Sequence, residues 1–154
     1  MLTIRNVEIG DVSPLRRLIY EMAEHEHLPI RITDEALIRD GFGATPQFRA
    51  FLAEWDREPA GYAFFFNCYS TFQGRGLFLE DLYLRPQFRA KKIGNALLAR
   101  VAEIALRENC FGIMLNVLDW NQPAIDFFQK RGFKFLNRKT ACLEPEGVQA
   151  VLQH

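Results

Sequence analysis

Residues 77–98 read LFLEDLYLRPQFRAKKIGNALL and join an extended apolar segment to an amphipathic one through a short basic turn. The first part, residues 77–84, is rich in leucine and aromatic residues, which is typical of a strand inside a sheet. The segment KIGNALLARVAEIALREN that follows has helical periodicity. Its apolar face carries Ile93, Leu97, Leu98, Val101, Ile104 and Ala105. The stretch therefore predicts a strand, a turn and a long helix.

The turn itself, RAKKIG, has the features of an anion site. A helix N-terminus presents free backbone N–H groups and the positive end of the helix dipole. Arg89, Lys91 and Lys92 add positive charge there, and Gly94 lets the backbone approach a ligand closely. Neither the P-loop pattern nor the GxGxxG dinucleotide pattern is present. The turn alone leaves two interpretations open, a diphosphate site and a solvated connector.

The remaining elements alternate between strands and helices. LTIRNV predicts a first strand, Asp11 a helix N-cap and Thr33 the cap of a second helix that GFG closes. Residues 48–70 predict a hairpin, and GIMLNVLD predicts a buried strand. Residues 121–131 predict a short helix, and FKFLN with TACLEP a C-terminal hairpin or sheet edge. The fold class is α/β (α+β), with a mixed, mostly antiparallel sheet flanked by helices.

Composition limits the kind of partner. Of 154 residues, 19 are Lys or Arg and 19 are Asp or Glu, so no global charge favours nucleic acid or a membrane surface. The three cysteines have no metal-site or disulfide spacing, and His25 and His27 lie in no recognised metal motif. We expect one domain over residues 1–154, a cytoplasmic location and no metal.

Four segments in order carry a family resemblance: RDGFG (39–43), YSTFQGRGLFLEDLYL (69–84), RPQFRAKKIGNALL (85–98) and WNQPAIDFFQKRGF (120–133). This arrangement resembles the GNAT family of acyl-CoA-dependent N-acetyltransferases. It is most similar to the branch that acetylates spermidine, spermine and thialysine. The resemblance spans almost the whole chain and implies a sheet that is splayed between its two middle strands.

The resemblance implies a site for the pyrophosphate and pantetheine of acetyl-CoA. In the family pattern [QR]xxGx[GA], Arg89 takes the first position and Gly94 the last, while Lys92 replaces the central glycine. If the backbone there keeps a positive φ, a lysine costs roughly 1–2 kcal/mol. Asn121 matches an asparagine on the CoA side of the last family helix, or is an ordinary N-cap. The expected contacts are Leu82, Tyr83, Leu84, Arg89, Ala90, Lys91, Lys92, Ile93, Gly94, Asn95, Asn121 and Ala124.

A second departure concerns the family tyrosine that protonates the leaving thiolate. This chain has Phe128 at that position, and a phenylalanine cannot donate a proton. General-acid assistance is typically worth about 10²–10⁴ in rate, and a thiol of pKa about 8.5 needs little of it. We therefore expect catalysis that is impaired or rerouted through another group.

Carboxylates supply the remaining chemistry. An alkyl amine arrives as a cation and must lose a proton before it attacks, so a site needs acidic groups. Glu80 and Asp81 are candidates for proton acceptance and amine binding, with Glu26 and Asn116 as further substrate contacts. On a regular strand Glu80 and Asp81 face opposite sides, so only a bulge would bring both to one cleft. The alternatives are a polar pair at a sheet edge for Glu80 and Asp81, a solvated charge for Glu26, and a buried backbone partner for Asn116.

Three functions remain open at this point. The first is acetyl transfer from acetyl-CoA to a primary amine of a small diamine, polyamine or lysine-like molecule, by direct attack in a ternary complex. The second is a degenerate acyl-CoA-binding protein that acts as a sensor or scaffold, which Lys92 and Phe128 motivate. The third is acetylation of protein amines. The resemblance also implies a homodimer.

Overall fold

The computed structural model describes residues 1–153. Most of the elements that the sequence predicts are present. The chain forms β1 (Leu2–Asn6), α1 (Val12–His25), α2 (Asp34–Phe42), β2 (Arg49–Trp55), β3 (Glu58–Ser70), β4 (Gly74–Leu84), α3 (Ile93–Arg107), β5 (Ile113–Met114), α4 (Gln122–Lys130) and α5 (Pro145–Val151).

The five strands form one sheet in the order β1-β2-β3-β4-β5. All neighbours are antiparallel except β4 and β5, which are parallel. The predicted hairpin of residues 48–70 is confirmed, with Asp56 and Arg57 at its turn. Both residues have positive φ, 49° and 71°, which a tight two-residue turn between twisted strands requires. The predicted mixed, mostly antiparallel sheet is therefore confirmed.

Helices cover both faces of the sheet. On one face, Leu15 and Leu18 of α1 are fully buried against a cluster that includes Leu52, Tyr62 and Tyr83. Side chains that alternate with these point to the other face, which α3 covers. There the Arg100 guanidinium lies 4.8 Å from the centroid of the Phe51 ring. The central part of β3 and β4 is thus buried on both sides.

One irregularity in the sheet bears on the site. Phe64 pairs with Asp81, but its neighbour Phe65 pairs with Leu79. Glu80 therefore has no partner in the ladder and forms a β-bulge. A bulge resets the alternation of side chains on the strand that contains it.

The C-terminal part of the sheet differs from the prediction. Only Ile113 and Met114 of GIMLNVLD form a strand, and their ladder with β4 ends at Phe78. In residues 1–153 β5 is the last strand of the sheet, and its ladder with β4 covers only two residue pairs. The splay between two middle strands that the resemblance implies stays a prediction.

The predicted C-terminal hairpin is wrong. Residues 134–144 are exposed and form no strand, and α5 begins at Pro145 instead. Two short strands without a buried face are at best marginally stable in water. Proline suits the first turn of a helix because its missing N–H has no helical acceptor there.

Helix boundaries follow local signals with one exception. The Thr33 hydroxyl accepts a hydrogen bond of 3.1 Å from the Ala36 N–H and caps α2 as predicted. Asp11 occupies the N-cap position of α1, but its side chain does not cap that helix. Its carboxylate accepts hydrogen bonds of 2.7 and 2.9 Å from Arg5 and one of 2.8 Å from the Glu8 N–H. The two bonds from Arg5 are charge-assisted and are therefore the stronger ones.

The chain divides into two compact units, one from Met1 to Asn116 and one that begins at Val117. The prediction of a single domain over 1–154 stays a prediction. Among residues 1–153, no helix is both long enough and apolar enough to cross a bilayer.

Candidate active site

The basic turn has the backbone conformation that the family glycine would favour. A 3-10 turn, Pro86–Lys91, leads to Lys92, which has φ 60° and ψ 19° and lies in the left-handed region. Lys92 is the N-cap of α3, and its side chain has no acceptor, so it does not cap the first-turn N–H groups. Gly94 is buried in that first turn. This arrangement fits a diphosphate, since a helix N-terminus attracts anions through its backbone N–H groups and its dipole.

Two of the predicted cations in the turn contact the protein itself. The Lys91 ammonium lies 4.4 Å from the centroid of the Trp55 ring. Arg89 Nε donates a 3.2 Å hydrogen bond to the Leu84 carbonyl oxygen. These contacts attach the turn to β2 and to the end of β4. Lys92 is exposed, as are Ala90 and Asn95, whereas Ile93 is buried in the core.

The strand segment predicted to face pantetheine is the end of β4. On its β3 side, Leu82, Tyr83 and Leu84 pair with Ala63, Tyr62 and Gly61. On the β5 side the ladder has already ended at Phe78, and residues 1–153 contain no other strand on that edge. Beyond Phe78 the backbone of β4 therefore has no strand partner on this edge, which suits an extended ligand, although the Leu84 carbonyl oxygen accepts the hydrogen bond from Arg89.

Asp81 is the most perturbed carboxyl group in this region. Its Oδ2 accepts a 2.9 Å hydrogen bond from the Tyr62 hydroxyl. Burial raises the pKa of Asp81 to about 7; the Tyr62 hydrogen bond opposes this, and the charges of Glu80 and Glu26 add to it. A carboxyl with a pKa near neutrality exchanges a proton readily at physiological pH.

Glu26 and Glu80 complete an acidic cluster with Asp81. Burial raises the pKa of Glu26, His25 opposes this, and Glu80 raises it further. Glu80 is exposed and Glu26 half-buried. The charge of Glu80 raises the pKa of both Asp81 and Glu26, and the charge of Glu26 raises that of Asp81. Within the described residues, no three acidic, histidine or cysteine side chains are arranged to hold a metal ion.

The end of β4 is also tied to α1. Arg85 donates two hydrogen bonds of 2.9 Å to the carboxylate of Glu21 and one of 2.9 Å to the Pro59 carbonyl oxygen. Burial, and then the neighbouring Glu21, raise the pKa of Tyr83. This network fixes the strand end from which the basic turn begins.

The predicted site residues beyond Met114 have simpler surroundings. Asn116 is exposed, which removes the alternative that it satisfies a buried backbone group. The Asn121 side chain accepts a 3.4 Å hydrogen bond from the Ala124 N–H and is the N-cap of α4. Phe128 is buried, with ring centroids 5.1 Å from Phe127 and 5.3 Å from Phe133.

Sequence reasoning missed Tyr62, the partner of Asp81. Its position inside GYAFFFNCYS indicates only a strand core. A buried tyrosine hydroxyl needs a polar partner, and this rule could have directed the search to a carboxylate near Tyr62. A separate cavity of about 370 Å³, lined by Asn6, Phe42, Phe48 and Arg107 among others, contains none of the predicted site residues.

The family follows from comparison with known proteins. Residues 12–133 match the family model described as Acetyltransferase (GNAT) family. The chain belongs to this family and is an N-acetyltransferase. The helices, the mostly antiparallel sheet and the basic turn before α3 are those expected from the resemblance.

Relatives support a particular branch. The chain is 38% identical to a thialysine N-epsilon-acetyltransferase of Bos taurus, over 94% of this chain and 92% of that protein. It is 33% identical to spermidine/spermine N(1)-acetyltransferase-like protein 1 of Homo sapiens, over 84% of this chain and 20% of that protein. The branch suspected from the sequence is confirmed.

Solved structures support the fold. An integron cassette protein from the mobile metagenome of V. cholerae superposes with a TM-score of 0.80 at 17% identity, covering 99% of this chain and 98% of that one. The aminoglycoside N-acetyltransferase AAC(6')-Iy in complex with CoA superposes with a TM-score of 0.75 at 19% identity, covering 94% of this chain and 95% of that one. At these identities the similarity concerns the fold alone.

Proposed function

We propose that this protein transfers the acetyl group of acetyl-CoA to a primary amine of a small diamine, polyamine or lysine-like molecule. Relatives that act on thialysine motivate the substrate class, because thialysine carries a lysine-like terminal amine. The observation that carries the proposal is the pairing of a basic turn, left-handed at Lys92, with a half-buried Asp81 whose pKa is near neutrality, at the two ends of one strand segment.

The first-turn N–H groups of α3 bind the diphosphate of CoA, and the free edge of Leu82–Leu84 runs beside its pantetheine arm. Acetyl-CoA supplies the activated thioester. Arg89, Lys91 and Lys92 provide the positive field around the turn, although the first two have intramolecular contacts. Asn121 and Ala124 remain candidates for further CoA contacts.

The acidic cluster prepares the amine. Glu26 and Glu80 attract the ammonium form, and Asp81 accepts its proton, which leaves a neutral nitrogen. The nitrogen attacks the thioester carbonyl in a ternary complex, an N–C bond forms and the C–S bond breaks. The nitrogen then loses its second proton, and the leaving thiolate takes up a proton, so that an amide and the free thiol of CoA result. Backbone N–H groups near Leu82 stabilise the negative oxygen of the intermediate. Asn116 is exposed at the end of the first unit and stays a candidate substrate contact.

Thiol release from acetyl-CoA across a panel of diamines, polyamines and lysine analogues tests this function. We expect saturable turnover with small diamines or lysine analogues, and an Asp81→Asn variant slower by about 10²–10⁴. The matched control is Asp56→Asn, at the exposed hairpin turn, which we expect to retain full activity. Absence of turnover with every amine would refute the proposal.

A second candidate function, an acyl-CoA-binding sensor or scaffold, is favoured by Phe128 and by the non-glycine residue at position 92. Phe128→Tyr distinguishes the two functions, because it restores a phenol at the family position. For an enzyme we expect turnover to rise by about tenfold or more, toward the lower range of general-acid effects. CoA binding without turnover, in the wild type and in Phe128→Tyr alike, would favour the sensor. Phe127→Tyr, on the neighbouring residue, is the control for an added hydroxyl.

A further inference from the structure

We infer that Tyr62 is a positioning residue for acetyl transfer, whose buried hydroxyl orients the Asp81 carboxylate toward the amine. This inference rests on the proposed function, in which Asp81 accepts the amine proton. It adds a residue on β3 to a site that the sequence places on β4, in the basic turn and around the helices.

The contact is short and buried. The Tyr62 side chain is fully buried, and its hydroxyl lies 2.9 Å from Asp81 Oδ2 and 3.5 Å from Met22 Sδ. A hydroxyl has one hydrogen to donate, and a carboxylate is a far stronger acceptor than a thioether. The hydrogen bond to Asp81 is therefore the one that forms.

The hydroxyl cannot follow Asp81 if the carboxylate turns. The Tyr62 ring lies between Leu15 and Leu18 of α1 and the sheet residues Leu52 and Tyr83, in a core that α1 covers. Moving a fully buried ring would open a cavity or force neighbouring side chains from their rotamers. Asp81 must then stay where the hydroxyl is, with Oδ2 occupied and Oδ1 left for the proton of the amine.

The register explains why a residue on β3 can do this. Tyr62 is opposite Tyr83, and Asp81 is opposite Phe64, so the two are diagonal neighbours on the face that α1 covers. The bulge at Glu80 sets this register. Without it, Asp81 would be on the opposite face of the sheet.

Charge in the surroundings makes the hydrogen bond consequential. The groups that act on Asp81 are Tyr62 from β3, Glu80 from β4 and Glu26 after α1. Both glutamates favour the protonated form of Asp81, and the Tyr62 hydrogen bond alone among the three favours the ionised form that accepts a proton. Burial also raises the pKa of Tyr62, so its hydroxyl stays a donor throughout the physiological range.

The experiment compares Tyr62→Phe with Tyr20→Phe. Tyr20 donates a 2.9 Å hydrogen bond to the Ile32 carbonyl oxygen, so both variants lose one tyrosine hydroxyl and its hydrogen bond. The Asp81 carboxyl is titrated by carbon-13 NMR in protein without ligands, and kcat and KM are measured from pH 5 to 9. We expect Tyr62→Phe to raise the pKa of Asp81 by about 1 and to move the acid limb of the activity profile with it. We expect Tyr20→Phe to change neither.

An Asp81 pKa and an acid limb that are the same in Tyr62→Phe and in the wild type would overturn the inference. If the variant does not fold, biosynthetic replacement of tyrosine by 3-fluorotyrosine tests the same contact. The more acidic phenol donates more strongly, so the pKa of Asp81 should fall, and an unchanged value would refute the inference. The NMR titration needs neither acetyl-CoA nor amine, so its result is separate from a failure of the proposed function, which would appear as absent turnover.

Discussion

Replacing Lys92 by glycine tests the physical argument about the basic turn. Lys92 has φ 60° and ψ 19°, where a Cβ crowds the following carbonyl oxygen. This conformation costs an L-residue roughly 1–2 kcal/mol, and glycine avoids most of that cost. Lys92→Ala is the matched reference because it removes the same charge but keeps the Cβ.

We expect Lys92→Gly to be more stable than Lys92→Ala by about 1 kcal/mol, which corresponds to a rise of roughly 2–4 °C in Tm for a chain of this size. Glycine is also the better N-cap of the two, so both effects have the same sign. Urea unfolding followed by tryptophan fluorescence measures the difference. Equal stability of the two variants would refute the claim that the backbone at position 92 is strained.

The same pair of variants separates strain from charge in ligand binding. If the ammonium acts on the CoA diphosphate, both variants lose that charge and should bind CoA about fivefold more weakly at low ionic strength, equivalent to about 1 kcal/mol. This loss should shrink as salt rises, since an exposed charge is screened. Calorimetric titration at two salt concentrations measures it. A loss of affinity that does not depend on salt would contradict an electrostatic role for Lys92.

Three further predictions concern stability. The pKa of Asp81 is about 7 in the folded protein against 3.8 in the unfolded chain, so its ionisation destabilises the fold increasingly from pH 4 to 7, by at most about 4 kcal/mol. We therefore expect Asp81→Asn to be more stable than the wild type at pH 8 and to show a flatter pH dependence in urea unfolding. A variant that is less stable at pH 8 would contradict this. Arg85→Ala should lower the free energy of unfolding by about 2–3 kcal/mol, because it leaves the partly buried Glu21 carboxylate unpaired. Arg39→Ala removes an exposed ion pair and should change the free energy of unfolding by less than about 0.5 kcal/mol. Equal losses of the two variants in calorimetry would refute this distinction. A Cβ at Gly61 would collide with the Tyr83 carbonyl oxygen, so Gly61→Ala should lower Tm strongly. Gly10 has open space around it, so Gly10→Ala should leave Tm nearly unchanged. A Gly61→Ala variant with an unchanged Tm would show that β3 and β4 can move apart.

The elements predicted correctly are those whose signals lie within a few residues. The periodicity of α3, the Thr33 cap and the hairpin of residues 48–70 depend on local backbone geometry and side-chain spacing. Each could be predicted from the sequence because helical and strand periodicity and helix caps can be recognised without knowing which distant residues will pack against them. The basic turn before α3 was predicted from the strand and helix patterns on either side of it, whereas its family pattern came from the resemblance.

The errors concern elements that depend on distant partners. FKFLN and TACLEP have strand-like composition, but a strand exists only when another strand pairs with it, and in the described residues none does. Asp11 is a good cap by type, but Arg5 is the stronger partner for its carboxylate. In both cases a long-range or stronger contact overrode a local preference.

The sequence by itself determined most of the elements as far as α4, the family, and the candidate carboxylates Glu26, Glu80 and Asp81. Only the tertiary structure decided how these carboxylates differ. The bulge at Glu80 sets which face Asp81 occupies; burial raises the pKa of Asp81, and the Tyr62 hydrogen bond opposes that rise. Both depend on the register between β3 and β4. A shift of one residue in that register would reverse the face of every side chain, and no local pattern specifies where the shift occurs.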